Sequence, residues 1–305
     1  MAVTLYRSID ASAPVNSGAA GDVVNILDKC LVAGYGAKTA AGWSKPYTGT
    51  NKAAFRQGAG NLMYTRVHDD NLSAPTRSIR HRGYETMSDV DTGTGPHPTV
   101  AQVAGDGQVL TTGTTGVSRP WIIVADSRTA YLFFDFDGTG YYRASMFGEP
   151  YSYVSADSYR HMNIDENLWR LVGWSNPSGT TGIESVLTGH YIARKWDGSG
   201  TSLNVGKHGN SIQGSNNGQL MGVIPNPNPA DGKQHLAPVY VHEIAEPTVR
   251  GELRGFWHWA HPVSGLASGD RFSGLENFPG KEFIAILELN GSVFWIETTD
   301  TWKTN

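Results

Sequence analysis

The chain is poor in cysteine, with a single one among its 305 residues. One cysteine cannot form an intrachain disulfide, and a zinc site built on several cysteine ligands is excluded as well. Cys30 falls on the apolar face of a predicted helix, so we predict a small buried hydrophobic residue there; a reactive thiol is the alternative. A fold without disulfides is compatible with folding in a reducing cytoplasm.

Charge is scarce too, because charged residues make up 17% of the chain and the formal net charge is −4. This balance argues against broad nucleic-acid binding, which needs a basic surface, and we expect no specific nucleic-acid partner. One local basic stretch contains Arg77, Arg80, His81 and Arg82. Strand geometry would divide these side chains between two faces. We therefore predict a solvated or interface strand, with a phosphate site as the alternative.

Long hydrophobic runs are missing. No segment approaches the roughly 18 apolar residues that span a bilayer. The opening residues MAVTLYRSID also lack the basic and apolar regions of a secretory signal. We therefore expect a soluble protein, made in a cytoplasm, without a membrane partner.

Familiar catalytic motifs are absent. The chain has no Gly-x-Ser-x-Gly nucleophile elbow and no phosphate-binding loop. Gly206-Lys207-His208-Gly209 lacks the upstream glycine and the hydroxyl after lysine that such a loop needs, so we predict a turn with a basic tip. The densest histidine group, His242, Glu243, His258 and His261, is interrupted by Pro247, which is incompatible with the helix of a zincin. We predict structural histidines there, with a metal site as the alternative.

Carboxylates give no clear site either. Asp135 to Gly140 resembles the opening of a calcium loop, but Met146 stands where the ligating glutamate belongs, so we predict a strand that ends in an Asp-Gly turn. Paired carboxylates for glycoside hydrolysis remain an alternative. The candidates for such a pair are Asp126, Asp135, Asp137, Glu149, Asp165 and Glu166. We assign no catalytic, cofactor-binding or metal-ligating residue and no cofactor, and we expect a protein that is not an enzyme.

Glycine and aromatic residues are abundant: the chain contains 37 Gly, 9 Trp, 13 Tyr and 10 Phe. Glycine supplies tight turns, and aromatic residues favour pleated, half-buried surfaces. Asp22 to Val32 alone has helical periodicity, with Gly34 as the candidate C-cap. We therefore predict an α+β, β-dominated fold with mostly antiparallel sheets or a sandwich and one short N-terminal helix.

Short apolar segments separated by turn residues predict the strands. They are Val3–Tyr6, Lys52–Gln57, Leu62–Val67, Ser78–Met87, Trp121–Ala125, Arg128–Phe136, Tyr141–Phe147, Leu168–Gly173, Val239–Glu243, Glu252–Trp259, Phe283–Leu289 and Ser292–Thr298. Asp126-Ser127 and Asn290-Gly291 predict hairpin turns, the second because a type I′ turn needs positive φ at both central residues.

Two stretches rich in Gly, Thr, Asn, Asp and Pro bear on where domain boundaries could lie. We predict a single domain over residues 1–305, with a seam at residues 89–118 as the alternative, which would separate an N-terminal α+β region (residues 1–100) from a C-terminal β region (residues 119–305). Asp89 to Ser118 is interpreted as a long, partly structured loop, and Gly198 to Lys233, which includes Pro225 to Gly232, as an extended surface region. Both have few apolar residues, so we expect neighbouring subunits to order them.

Several strings resemble a family of tailed-bacteriophage proteins described only as virion structural or hypothetical. They are Gly34–Lys38 with Ala41–Trp43, Gly49–Gln57, Arg82–Met87, Met146–Gly148, Ser158–Arg160, Gly189–Arg194, Val205–Gly209, Pro227–Gly232, Leu253–His258 and Glu297–Trp302.

This resemblance spans most of the chain. It implies where the protein works but no biochemical activity, because the family has no established activity. It implies a structural component of a virion, made in the host cytoplasm, at the capsid surface or in the tail or baseplate. Its partners would be other virion proteins and copies of itself in a symmetric assembly. A carbohydrate-directed virion protein, receptor-binding or glycan-cleaving, is the alternative, because aromatic and carboxylate residues are abundant.

Overall fold

Strands dominate the fold. The structure is a computed structural model. It describes residues 2–70, 76–166, 189–208, 230–231, 236–243, 248–259, 265–273, 278–287 and 293–304. Strands account for 47% of the structure and helix for 5%, with large antiparallel sheets and a single short helix. The predicted fold class is therefore confirmed.

The helical segment begins with α1, Asp22–Leu27, and continues as a π-helical turn over Asp28–Ala33. The strands are β1 Thr4–Arg7, β2 Ser44–Gly49, β3 Lys52–Arg56, β4 Tyr64–His68, β5 Thr76–Tyr84, β6 Thr86–Asp89, β7 Thr92–Thr94, β8 Gln108–Thr114, β9 Trp121–Ala125, β10 Thr129–Phe134, β11 Arg143–Gly148, β12 Tyr151–Ser152, β13 Met162–Ile164, β14 His190–Ile192, β15 Leu203–His208, β16 Leu236–Glu243, β17 Thr248–Trp259, β18 Arg271–Ser273, β19 Glu282–Leu287 and β20 Val293–Glu297.

The helix forms where the sequence predicts it. Its periodic apolar residues are buried, and Cys30 lies among them with no exposed surface, which confirms the prediction of a core residue. Burial raises the pKa of the Cys30 thiol well above its ordinary value, so the group stays neutral. The Asp69 carboxylate accepts a hydrogen bond from the Val23 backbone N–H at 2.8 Å and so satisfies a free donor of the first turn. Gly34 ends the segment at a φ of 78°, as its predicted role as C-cap requires.

The larger sheet contains 13 of the described strands. Its order is β1-β9-β10-β11-β13-β14-β15-β16-β17-β20-β19-β18, and β12 pairs beside β17. Neighbouring strands are antiparallel in each described pair. The hairpin β9–β10 around Asp126-Ser127 is confirmed. The strands β19 and β20 also pair as predicted, whereas their turn at Asn290-Gly291 lies outside the described residues.

This sheet folds back on itself. Side chains from β9 to β11 share one hydrophobic core with side chains from β16, β17, β19 and β20, which lie far away in the strand order. The opposite face of β9 and β10 packs against the helical segment and the smaller sheet in a second core. Alternation along a strand explains this division, since Ile122 and Val124 enter the first core and Ile123 and Ala125 the second.

The smaller sheet has five strands in the order β2-β3-β4-β5-β8. Asp89 to Ser118 is partly structured, as predicted, and its structured parts are strands, because β7 pairs with β6 and β8 pairs along β5. Leu110 of β8 is completely buried in the second core. Strand β8 thus has pairing and burial partners within its own chain. The predicted division of the chain into domains stays a prediction.

The region from Gly198 to Lys233 also contains structure. Leu203–His208 forms β15, paired with both β14 and β16, so the prediction of a turn at Gly206-Lys207-His208 is wrong. Strand β15 is stabilised by hydrogen bonds to β14 and β16, and the local sequence pattern gave no sign of these partners. The predicted strand Leu168–Gly173 and the proline-rich residues 225–229 lie outside the described residues.

Within the described ranges, no helix combines the length and the apolar character that crossing a bilayer would require.

Candidate functional site

Three tyrosines and one carboxylate meet where β12, β17 and β16 run side by side. Glu252 of β17 is the register partner of Tyr151 on one side and of Tyr240 on the other. Cross-strand partners place their side chains on the same face of a sheet. The fold therefore forms a row of tyrosine, glutamate and tyrosine from segments that are distant in the chain.

Tyr153 completes this group and is its most exposed ring, with 49% of its surface accessible. Its hydroxyl donates to the Glu252 Oε2 at 3.1 Å, and its backbone N–H donates to the Arg250 carbonyl at 2.8 Å. Its ring centroid lies 5.8 Å from that of Tyr151 and 6.5 Å from that of Tyr240. Partial burial and the neighbouring Glu252 carboxylate raise the pKa of Tyr153, so the phenol remains a donor.

Lys303 balances the charge of the group. Its ammonium pairs with the Glu252 carboxylate and lies 5.7 Å from the centre of the Tyr151 ring. We call Tyr151, Tyr153, Tyr240, Glu252 and Lys303 the tyrosine surface. It presents aromatic rings to solvent beside a fixed ion pair.

A buried arginine fixes the chain behind this surface. The Arg250 guanidinium contacts both carboxylate oxygens of Asp157, at 2.8 and 2.7 Å, and a Glu243 oxygen at 2.7 Å. Arg250 and Asp157 are essentially inaccessible. Asp157 also accepts from the hydroxyl of Ser152, the residue between the two tyrosines of this strand end. Because a bidentate pair has fixed geometry, the backbone that carries Tyr153 is held in place.

A second group of buried polar side chains is the histidine layer, His81, His97 and His161, which lies between the two sheets. His97 Nε2 and His161 Nδ1 are 2.8 Å apart, and His161 Nε2 lies 3.3 Å from the Thr65 hydroxyl. His81 contacts the Asn163 side-chain oxygen at 3.1 Å and the Ser145 hydroxyl at 3.1 Å. These rings link β4 and β5 of the smaller sheet to β11 and β13 of the larger one.

The histidine layer is buried, and burial keeps its rings neutral. Burial lowers the pKa of His81 and that of His97 to about 4, and burial together with the two other rings lowers the pKa of His161 well below its ordinary value. Glu85 is the charged group that acts on His97, and its carboxylate is itself paired with Arg194 at 2.6 Å. The layer has hydrogen-bond partners on both sheets, and it joins them.

The basic stretch of β5 lies in the protein interior. Arg77, His81 and Arg82 are buried and Arg80 is half-buried, so the prediction of a solvated or interface strand is wrong for three of the four residues. The Arg82 guanidinium donates to the Val103 carbonyl, and His81 belongs to the histidine layer. Strand β5 runs between β4 and β8, and both of its faces are covered by other elements. Amino-acid composition alone cannot show that other elements bury both faces of β5.

The histidine group around His242 is only partly described. His242 is buried, and Glu243 pairs with Arg250 at 2.7 Å. The side chain of His258 and the whole of His261 lie outside what the structure describes. No group of three or more His, Cys, Asp or Glu side chains in the described ranges is arranged to hold a metal ion.

The carboxylates of Asp135 and Asp137 close a turn. Asp135 accepts from the N–H groups of Gly138, at 2.8 Å, and Gly140, at 3.2 Å, and Asp137 accepts from Thr139. The predicted Asp-Gly turn is confirmed.

The other carboxylates considered for glycoside hydrolysis have fixed partners. Asp126 forms a bidentate pair with Arg254, at 3.0 and 2.6 Å, and Glu149 pairs with Arg160 at 2.8 Å. Glu166 accepts from the Thr111 backbone N–H at 2.9 Å. The Asp165 carboxylate packs directly against Gly189. These contacts give each group a structural role.

Sequence reasoning missed the tyrosine surface and most of the histidine layer. Tyr151 and Tyr153 are two apart, as residues on one face of a strand are, but nothing local relates them to Tyr240 or Glu252. No sequence motif connects His97 and His161 with each other or with His81. Pairing of distant strands brings these residues together.

No protein-family model matches this chain, and no curated protein matches it. The resemblance to tailed-phage proteins therefore stays a prediction from the sequence strings.

Proposed function

We propose that the protein is a non-enzymatic structural component of a tailed-bacteriophage virion and that it acts through contacts with other virion subunits. The observation that carries this proposal is the exposure of three aliphatic side chains on two loops that are hydrogen-bonded to each other. Ile9 is 76% exposed, Val15 60% and Val117 40%. We call these three residues the loop surface. A contiguous apolar patch marks an interaction site, and the two linked loops would offer these three side chains to one partner.

The backbone that presents the loop surface is held by hydrogen bonds. The buried Asn16 side chain donates to the Thr112 carbonyl at 2.7 Å, and the Arg119 N–H donates to the Asn16 carbonyl at 2.9 Å. The Trp121 indole donates to the Pro14 carbonyl at 3.0 Å. A loop with this many fixed contacts does not need to fold on binding, so it keeps its apolar residues ready for a partner.

The supporting features are those of an assembly subunit. The interior is held by strand pairing and arginine–carboxylate pairs without disulfides, as a protein that folds in a host cytoplasm requires. The carboxylates that could have formed a hydrolytic pair have structural partners instead. Copies of the chain in a symmetric arrangement would each bury the loop surface against a neighbour.

The test is incorporation into particles. Phage genomes that encode Val15→Asp or Leu62→Asp are compared with wild type by quantitative mass spectrometry of purified virions. Leu62 is the control because it is an exposed aliphatic residue on a different loop. We expect at least a tenfold lower copy number for V15D, since a buried charge opposes contact, and an unchanged copy number for L62D.

Two results would contradict the proposal. Absence of the wild-type chain from purified particles would reject the virion role. Equal incorporation of V15D and wild type would reject the loop surface as the contact. The position of the labelled chain in an imaged particle then distinguishes head from tail.

A carbohydrate-directed virion protein is the second candidate. The tyrosine surface favours it, because exposed aromatic rings beside fixed polar groups suit a sugar ligand. Since four of the candidate carboxylates are held in ion pairs or in a turn and Glu166 accepts a backbone hydrogen bond, the binding form of this candidate has more support than the cleaving form.

A further inference from the structure

We infer that the tyrosine surface is a binding site for a neutral saccharide. The inference goes beyond the assembly role, and it can hold or fail independently of that role because the site uses different residues and is tested on the isolated protein.

The chemistry of the tyrosine surface favours a sugar. One face of a pyranose ring presents C–H bonds, and its rim presents hydroxyl groups. The exposed Tyr153 ring offers an apolar face with a partially negative surface to such C–H bonds. Lys303 lies beside it with 58% of its side chain exposed, so its ammonium keeps donors for hydroxyl oxygens while it pairs with Glu252.

The balance of charge favours a neutral ligand. Glu252 and Lys303 neutralise each other within the surface, and the Glu252 carboxylate is enclosed by the Tyr153 hydroxyl on its other oxygen. A phosphate backbone or an acidic polysaccharide needs an excess of positive charge for its affinity. The tyrosine surface has no such excess, so we assign it a neutral saccharide.

The size of the surface favours a small ligand over a protein. A tyrosine side chain in full contact buries about 150–250 Å². Tyr153 is half exposed and Tyr151 and Tyr240 are half-buried, so the three rings together offer on the order of 200 Å². A stable protein interface takes about 800 Å² from each partner. One or two sugar rings match the smaller area.

The surface is also fixed before any ligand arrives. The Tyr153 ring is held by its hydroxyl on Glu252, by its N–H on the Arg250 carbonyl and, through Arg250, by Asp157. A fixed ring loses little conformational entropy on binding. This matters most for ligands that bind weakly, such as neutral sugars, because a small entropy cost leaves more of their contact energy as affinity.

The test uses the purified full chain on an array of neutral and acidic oligosaccharides, followed by calorimetric titration with the strongest neutral oligosaccharide. The variants are Tyr153→Ala, Tyr153→Phe and Tyr240→Ala. The matched control is Tyr141→Ala, since Tyr141 is a similarly exposed tyrosine, at 40%, in the turn between β10 and β11. Thermal melting verifies that each variant is folded.

We expect Y153A to raise the dissociation constant at least tenfold and Y141A to leave it within twofold. Y153F keeps the ring but loses its hydrogen bond to Glu252, so we expect a smaller increase of about threefold, which is measurable even if Y153A fails to fold. Silence of the array, binding of acidic glycans alone, or an equal loss in Y141A would overturn the inference. If no oligosaccharide binds and Tyr153 is protected from chemical labelling in assembled particles, the tyrosine surface is a protein contact instead.

Discussion

At the scale of single residues, the chain uses its few charges in its interior. Arg250, Arg254 and Arg160 are all buried, and each contacts a buried carboxylate. Removing two charges from water is costly, and only good geometry with further hydrogen bonds compensates for it. Arg254 meets that condition, because its guanidinium also donates to the Thr129 hydroxyl at 2.9 Å and to the Lys303 carbonyl at 2.7 Å.

We therefore expect Arg254→Ala to lower the free energy of unfolding by about 3–5 kcal/mol, since it leaves the Asp126 carboxylate buried without its partner. Arg271→Ala is the matched control. It removes the Arg271–Glu282 pair, whose side chains are 48% and 40% exposed, and should cost less than about 1 kcal/mol. Urea unfolding of both variants measures the difference, and similar losses would contradict the assignment of stability to the buried pair.

Gly83 is a residue whose small size the tertiary structure requires. A Cβ atom at this position would lie 2.1 Å from His97 Nε2 and 2.2 Å from the Asn163 side-chain nitrogen. We expect Gly83→Ala to destabilise the protein by about 1–3 kcal/mol or more, because the histidine layer must shift.

Gly113→Ala is the comparison for Gly83→Ala, since Gly113 lies in the same sheet and its nearest neighbour is the flexible Arg119 side chain at 3.2 Å. It should stay within about 1 kcal/mol of wild type. Thermal denaturation distinguishes the two variants, and an equal effect would mean that the crowding around Gly83 is relieved at little cost.

At the scale of secondary structure elements, β8 shows how a strand can be hidden in a polar sequence. Its residues Gln108–Thr114 include strand-favouring valine and threonine, but a glycine lies within the strand and Gly105-Asp106-Gly107 precede it, which is typical of loops. The strand is stabilised by its pairing with β5 and by the burial of Leu110. Burial and pairing in the folded chain decide the structure where the surrounding turn residues obscure a short strand pattern.

This predicts slow hydrogen exchange for the ladder amides of Gln108–Thr114 in the isolated protein. The preceding residues 99–107, which belong to no described strand, should exchange faster. The measurement is exchange followed by mass spectrometry, on the free chain and on assembled particles. Protection of 108–114 that appears only in particles would mean that neighbouring subunits, and not the chain's own pairing, order this segment.

At the scale of the whole molecule, the histidine layer connects the two sheets and makes stability depend on pH. The pKa of His81 and that of His97 are about 4, below the ordinary value near 6.5, because burial disfavours their charged forms. The unfolded chain therefore binds more protons between these values. Stability is fully present above pH 6.5 and falls as the pH drops toward 4, by up to about 3 kcal/mol for each of these two rings.

Carboxyl groups with shifted pKa values also affect stability at acidic pH. Burial raises the pKa of Asp69 to about 6, so its contribution has the opposite direction and favours the folded state at lower pH. Burial also raises the pKa of Glu243, so two carboxyls oppose three histidines, and the histidines should dominate. Lysine and arginine partners lower the pKa of Asp91, and His68 and Arg66 lower that of Asp106 to about 2, so both act only at lower pH.

The measurement is the melting temperature from pH 7.5 to 4, for wild type and for His97→Gln. A glutamine retains polar atoms but has no proton to gain, so the variant should have a lower melting temperature at pH 7.5 and a flatter dependence on pH. A parallel curve for the variant would mean that the acid sensitivity has a different origin.

Local sequence patterns determined the elements of this protein. Helical periodicity placed the segment after Asp22, and apolar runs with turn residues placed the hairpins β9–β10 and β19–β20, because these features depend on neighbours within a few positions. The burial of Cys30 followed from the same periodicity. Only the tertiary structure decided that β5 is an interior strand, that β8 pairs with it, and that Tyr240 and Glu252 stand beside Tyr151. Strand pairing joins segments that are distant in the chain, and a local pattern carries no information about which partner a strand will find.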